Sequence, residues 1–322
     1  DICNIAYDQA LKLEKNPIWK RDCSEQSDID FLNTGILRCL SSVDSGRDFL
    51  HLLPNIYKSK IPHSTYFNAL KSARRSLMSK AASNEYYNHL CFKVKELGID
   101  YLSEFSELQG FNVEAADGHF IEHACHTAKN SSGKVYSAGF VYALNLRNGF
   151  LKPVCKVTNG TKKTHEIPCF KNWVEKNYVN RNYENQLYVY DMGCIDYKWW
   201  EYQRKKRIFM ISMLKENAVT EFVQNIEFDP MDIINTGIEN YELHKKGKTL
   251  FSLIRYRDPE TQKLYTFLTT LSSSFRPGLI ALLYYKRWTI EKGFNNSKSD
   301  LKEIKAWSSN SSSLENQMNI TS

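Results

Sequence analysis

No Cys-x-x-Cys pair occurs in this 322-residue chain, although eight cysteines (Cys3, Cys23, Cys39, Cys91, Cys125, Cys155, Cys169 and Cys194) are scattered along it. That absence argues against a zinc ribbon or a redox dithiol, and reduced thiols in a cytoplasm are the expectation. No apolar run reaches the roughly 18 residues that a spanning helix needs, so no membrane is expected. No secretory signal accompanies sequons such as Asn159-Gly160-Thr161, which therefore carry no weight. There is no internal repeat. Between Asn55 and Lys80 there is no acidic residue, while Lys58, Lys60, Lys71, Arg74, Arg75 and Lys80 are basic. The chain opens on Asp1 rather than Met and stops within polar sequence, so a piece of a longer protein is expected.

What is present is ordinary globular material: 42% hydrophobic and 25% charged residues, enough for a sizeable core. The net charge of +7 and a pI near 8.8 suit a polyanionic partner without requiring one.

Residues 1–108 read as helical. Helices are expected over 4–16, 28–40, 46–53, 63–80 and 84–98, the fourth capped by Ser64 or Thr65 with Tyr66, Leu70 and Ala73 inward. The basic side of that fourth helix, including Lys71, Arg74 and Arg75, is suited to phosphate contact; the plainer reading is a solvated face. From residue 109 the pattern changes. "FNVEAADGHF" alternates and breaks at Gly118, and two further short strands follow, joined by an Asn148-Gly149 turn. A helix, the strand "QLYVYD", a helix from "DYKWWEYQRKK" and the strand "RIFMISML" come next. Three meandering strands followed by α-β-α-β is the order of a ribonuclease-H-like mixed α/β sheet. Residues 218–272 are strand-rich, with turns at Lys246-Gly247 and Asp258-Pro259. A last helix starts near Pro277 within 273–303, and 304–322 reads as a polar surface linker.

In that last helix Tyr284, Arg287, Glu291 and Lys298 fall within roughly 60° of one another at about 100° per residue. The stripe is either a salt-bridged surface or the wall of a site handling metal and phosphate. Asp117 and Asp191 each end a strand, and neighbouring strands would bring both to one sheet edge beneath Glu291. Three hard oxygen ligands suit Mg²⁺ or Mn²⁺, two ions being able to activate a nucleophile and steady a leaving oxygen. Singly, each acid has a plain explanation: a turn residue, or an ion-pair partner for Arg287 or Lys292.

The spacing Tyr284-x2-Arg287-x3-Glu291-x6-Lys298, with "DGH" at 117–119 and "DMGCIDYKWWEYQRKKRIFMISMLKENA" from Asp191, resembles the DDE transposases of the insertion sequence 4 family. The likeness runs from Phe111 to Lys302. It implies a ribonuclease-H-like catalytic domain interrupted by a β-rich insertion (218–272), and a helical N-terminal region (1–108) gripping terminal inverted repeats. It implies Asp117, Asp191 and Glu291 as metal ligands, and Tyr284, Arg287 and Lys298 as contacts to end phosphates. The implied chemistry is strand hydrolysis at transposon ends and attack of the freed 3′-hydroxyl on target DNA. A dimer on double-stranded DNA in a prokaryotic cytoplasm or nucleoid is implied as well. Some relatives use a tryptophan in the insertion to stack a flipped base. None lies between 218 and 271, where Tyr241, Phe251, Tyr256 or Tyr265 would have to substitute.

Three rivals remain. "HFIEH", residues 119–123, has the H-x-x-E-H pattern of a zinc peptidase, with Glu122 as base and His126 nearby, which requires a helix there. A transposase-derived protein that only binds DNA would share the fold with a silent metal site. A generic ribonuclease-H-like nuclease would lack the stripe.

Overall fold

The computed structural model describes residues 26–321 apart from 44, 58–59, 122–137, 158–165, 179–183, 216–217, 302–305 and 309. The helix expected over 4–16 therefore lies outside the described residues. Four helices follow: α1 (Asp28–Cys39), α2 (Gly46–Tyr57), α3 (His63–Leu70) and α4 (Ala73–Glu96). The single helix expected over 63–80 is broken at Lys71-Ser72. The Ser72 hydroxyl accepts the Arg75 amide at 3.4 Å and starts α4 afresh, satisfying one of the orphan donors of a first turn. α4 then absorbs the helix expected from residue 84. α3 itself begins behind Pro62 rather than behind a Ser64 or Thr65 cap. Tyr66 and Leu70 are buried as expected, while Ala73, beyond the break, is exposed.

The strands are β1 (Phe111–Ile121), β2 (Ala138–Asn145), β3 (Leu151–Val157), β4 (Asn185–Val189), β5 (Ile208–Met213), β6 (Glu221–Asn225), β7 (Ile238–Lys246), β8 (Thr249–Arg257) and β9 (Leu264–Thr269). They form one sheet in the order β3-β2-β1-β4-β5-β9-β8-β7-β6. β1, β2 and β3 are an antiparallel meander, and β4 runs parallel to β1 and to β5. Parallel neighbours need crossovers, which α5 (Glu166–Tyr178) and α6 (Tyr197–Lys205) supply. This is the expected ribonuclease-H-like arrangement. The strand-rich stretch 218–272 continues the same sheet, because β9 pairs antiparallel with β5. Gly149 and Gly247 stand at positive φ (77° and 61°) in the turns after β2 and β7, where a side chain would be strained.

Two apolar layers flank the sheet. Val113, Ala115, Leu187, Val189 and Ile211 pack against Leu279, Leu283, Ile290 and Phe294 of α7 (Pro277–Asp300). On the other face Tyr188, Tyr190 and Met210 meet Phe170 and Val174 of α5 and Trp200 of α6. Each of the Val, Leu, Ile, Phe and Met side chains among them, fully buried, contributes about 1.5–3 kcal/mol, and covering on both faces explains why β4 carries no polar alternation.

The tail is not a linker. Residues 311–321 form α8 (Ser311–Thr321), packed between α1 and α4 with Leu314 and Met318 buried. Its polar residues are buried too: Asn316 donates to the Leu70 carbonyl at 3.0 Å and accepts from Ser79 Oγ at 2.8 Å. With only Leu314 and Met318 marking the inward face and amide hydrogen bonds holding the rest, the apolar signal of this helix is short.

Candidate active site

β1 and β4 run parallel as far as the pair Ala115–Val189. Two residues past that pair come Asp117, still within β1, and Asp191, just beyond the end of β4, near enough for the charge of Asp191 to act on Asp117. This is the carboxyl end of parallel strands, where open α/β sheets bind ligands. β1 does not break at Gly118; it stays paired with β2 to Ile121, and Asp117 faces Tyr142. β4 instead ends, and Asp191 caps a short 3₁₀ turn, its Oδ1 accepting the Gly193 amide at 2.9 Å. Ser212 Oγ on β5 donates to the Asp191 carbonyl at 2.7 Å and fixes the departure angle.

α7 crosses this edge and brings the stripe with it. Arg287 is only 5% exposed. Its Nη1 donates to Asp117 Oδ2 at 3.1 Å and its Nη2 to Glu291 Oε1 at 2.9 Å. One guanidinium thus joins two of the three expected acids. Tyr284, expected at DNA, is 3% exposed and packs its ring against Phe267 at 4.9 Å and beneath the Arg287 guanidinium at 5.3 Å. Tyr284 is a core residue in this state, because the face of α7 that carries it is the face laid on the sheet. The Lys298 side chain lies outside the described residues.

A fourth carboxylate joins them. Glu166, the first residue of α5, sits against Gly118: a Cβ added there would collide with Glu166 Oε2 and stand 2.9 Å from Phe120 Cε2. Burial, and then the charges of Asp117 and Asp191, push the Glu166 carboxyl up to about 7. Burial also raises Asp117, against the Gly118 amide and Arg287, which lower it. Nothing in the sequence marked Glu166 beyond an acid at a helix start, a common stabilising placement. Nearby, the Tyr190 hydroxyl is buried without a hydrogen-bond partner, and burial followed by the Glu166 charge raises its pKa.

The donors gathered here are all carboxylate oxygens, the type that Mg²⁺ and Mn²⁺ take. As the side chains stand, with Arg287 between Asp117 and Glu291, no three His, Cys, Asp or Glu groups among the described residues are arranged to hold a metal ion.

Other expected site residues fall elsewhere. Arg74 and Arg75 do not face solvent. Arg74 Nη1 donates to Asp28 Oδ1 at 2.6 Å, Arg75 Nε to the same oxygen at 3.2 Å, and the Arg75 guanidinium lies 4.8 Å from the Phe31 ring. They tie α4 to α1, because Asp28 in the first turn of α1 offers a buried counter-charge. Lys71 stays exposed. Of the aromatic substitutes, Tyr241 and Phe251 are buried, while Tyr256 and Tyr265 stack at 6.5 Å. His119 lies inside β1 and stacks on Phe294 at 4.7 Å, so the helix that the zinc reading needs does not form over 119–121. Glu122, His123 and His126 lie outside the described residues.

The sheet order is that of a ribonuclease-H-like domain, with acids gathered at one edge of it. The sequence profile of the transposase DDE domain matches residues 110–321, and the chain belongs to that family. It is a transposase-family protein. No curated protein matches it significantly. Among solved structures it is similar to a piggyBac transposase synaptic complex with hairpin DNA, at 9% identity and TM-score 0.44 over 99% of this chain and 70% of that one. It is also similar to endonuclease V of Ciona intestinalis with an inosine-containing DNA, at 12% identity and TM-score 0.28 over 60% and 86%. Both are distant likenesses. No helix among the described residues is long and apolar enough to cross a membrane.

Proposed function

We propose that this chain is a transposase of the insertion sequence 4 family that hydrolyses one strand at each transposon end and joins the freed 3′-hydroxyl to target DNA. The observation that supports the reading is the gathering of Asp117, on β1, and Asp191, just past the parallel β4, with Arg287 linking Asp117 to Glu291 from above. Asp117, Asp191 and Glu291 would hold Mg²⁺ or Mn²⁺, two ions, with Glu166 close behind. Such ions supply activation of the attacking oxygen and charge relief on the leaving one.

The chain's own residues do the rest. Gly118 leaves room for Glu166 beside Asp117. Tyr284, packed on Phe267, holds the Arg287 guanidinium over the edge. Arg287, drawn from Asp117 and Glu291 to a DNA phosphate, would offer the forked donor set that matches it and would free both acids. Lys298 would add a point charge to the phosphate contacts. Residues 1–108 would grip the terminal inverted repeats, with Lys71 the remaining exposed contact of the three assigned there, and the active assembly would be a dimer on double-stranded DNA.

A second reading has one observation in its favour. Arg287 already neutralises two of the acids, as it would in a DNA-binding relative with a silent metal site. The two separate on Asp117→Ala, Asp191→Ala and Glu291→Gln, tested on duplexes carrying the inverted repeats that flank the coding region. Each variant should lose Mg²⁺-dependent nicking while binding the duplex as before. Wild-type nicking by any one of them removes that acid from the site, and a wild-type chain that binds but never nicks selects the silent reading.

A further inference from the structure

Two distant segments meet on a surface that the acid site does not use. α6 presents Lys198, Tyr202 and Lys205 outward at helical spacing, followed by exposed Arg207. The β7–β8 turn presents Lys245, Lys246 and Lys248, all exposed. They are held side by side: Thr249 Oγ1 donates to the Tyr197 carbonyl at 3.1 Å, Arg204 Nη1 to the Leu250 carbonyl at 3.3 Å, and the Tyr197 and Phe251 rings lie 5.1 Å apart. Residues 197–207 and 245–249 together carry eight lysines and arginines and a single carboxylate, Glu201, which pairs with Arg204 at 2.9 Å. One further acid, Glu221, reaches Lys245 at 3.2 Å. So much like charge on one face opposes folding, and it is relieved by a polyanion.

Its place relative to the acids follows from the ladders. Val189 is level with Ile211, Ile211 with Thr269, and Thr269 with Ser252. Thr249 is three residues before that level and Asp191 two residues beyond it. Five residue steps and three strand spacings separate them, roughly 20 Å in all. A duplex rises about 3.4 Å per base pair along each strand, so that distance corresponds to roughly six pairs.

We infer that the α6 and β7–β8 surface is a sequence-independent docking site for duplex DNA, taking the phosphates of the same duplex whose scissile bond lies at Asp117 and Asp191. The inference rests on the transposase reading for the identity of the polyanion, and on the convergence of the two segments for its location. No base-reading group is required. The lysines are point charges on flexible stems, and Tyr202, with Lys206 Nζ 4.1 Å from its ring centre, lines the same face.

The test is fluorescence anisotropy on random-sequence duplexes across a NaCl series, comparing the wild-type chain with Lys198→Gln/Lys205→Gln/Lys248→Gln. The three residues are exposed, so a circular-dichroism melt should match wild type. Losing three phosphate contacts should shrink the slope of log Kd against log[salt] by roughly 2–3 on a long duplex. A duplex too short to span from this surface to the acid edge should bind wild type more weakly than a long one, because one of the two regions no longer holds it, and the variant should bind it more weakly still. An unchanged slope on the long duplex overturns the docking site while leaving the transposase reading intact. Equal wild-type affinity for short and long duplexes overturns the assignment to the same molecule. Wild-type chain without salt-dependent duplex binding sinks both, and binding that appears only on phosphatidylserine vesicles would assign the surface to a membrane instead.

Discussion

Arg287 and Asp117 are 170 residues apart in the chain and 3.1 Å apart in space. The guanidinium is almost wholly buried and also holds Glu291, so it is a counter-charge that the acidic edge depends upon.

Arg287→Ala should therefore destabilise the fold by about 1–3 kcal/mol, since it leaves the largely buried Asp117 without its counter-charge, while the half-exposed Glu291 can turn to solvent. Chemical denaturation measures this directly. Millimolar Mn²⁺ should restore more of the melting temperature in this variant than it adds to wild type, because a cation replaces a cation. Equal Mn²⁺ shifts in both would show that no ion takes the vacated position.

Gly118→Ala should cost about 1–3 kcal/mol, because its Cβ meets Glu166 and Phe120 in a strand that cannot shift. Paired with Glu166→Ala, most of that cost should vanish. A double-mutant cycle with no coupling would mean that Glu166 does not press on Gly118.

Glu315 on α8 is held in the opposite sense. Burial raises its carboxyl, but the Ser76 hydroxyl and the Lys156 ammonium, the latter at 2.6 Å, bring it below its ordinary value of 4.5. A depressed carboxylate stabilises the fold above its unfolded pKa and loses that contribution as pH falls through the folded one. Glu315→Gln should thus flatten the acid limb of a stability curve below pH 4.5 and leave the neutral limb parallel to wild type. An identical acid limb would mean that the clasp between α8 and β3 carries no proton-linked stability.

Asn316→Ala should cost about 1–3 kcal/mol, since it leaves the Leu70 carbonyl and Ser79 hydroxyl buried with a partner missing. Urea denaturation checks it. A change under half a kilocalorie would mark α8 as an appended helix rather than part of the N-terminal helical unit.

Much of the sheet was legible because its central strands are buried on both faces. "QLYVY" and "RIFMISM" are too apolar and too short to be anything but central strands, and Asn-Gly and Lys-Gly demanded positive-φ turns. The stripe on α7 was legible by spacing, yet its direction was not. Periodicity says that Tyr284 and Arg287 share a face with Glu291, and it does not say whether that face meets solvent or the sheet. The basic run 71–80 misled for a related reason. Arg74 and Arg75 look like free cations until Asp28, over 40 positions earlier, is found against them. Glu166 gave no signal, because its neighbours come from β1 and from the turn after β4.

By itself the sequence determined the order of strands and helices and the turns that need glycine, all of which depend on neighbours within a few residues. It also carried the three acids and their cationic companion. Only the tertiary structure decided which partners those charges take: Arg287 with Asp117, Arg75 with Asp28, Glu166 beside Gly118. It also turned a serine- and asparagine-rich tail into a buried helix. Buried polar partners are chosen by desolvation and hydrogen-bond geometry across the whole chain, and no local window contains them.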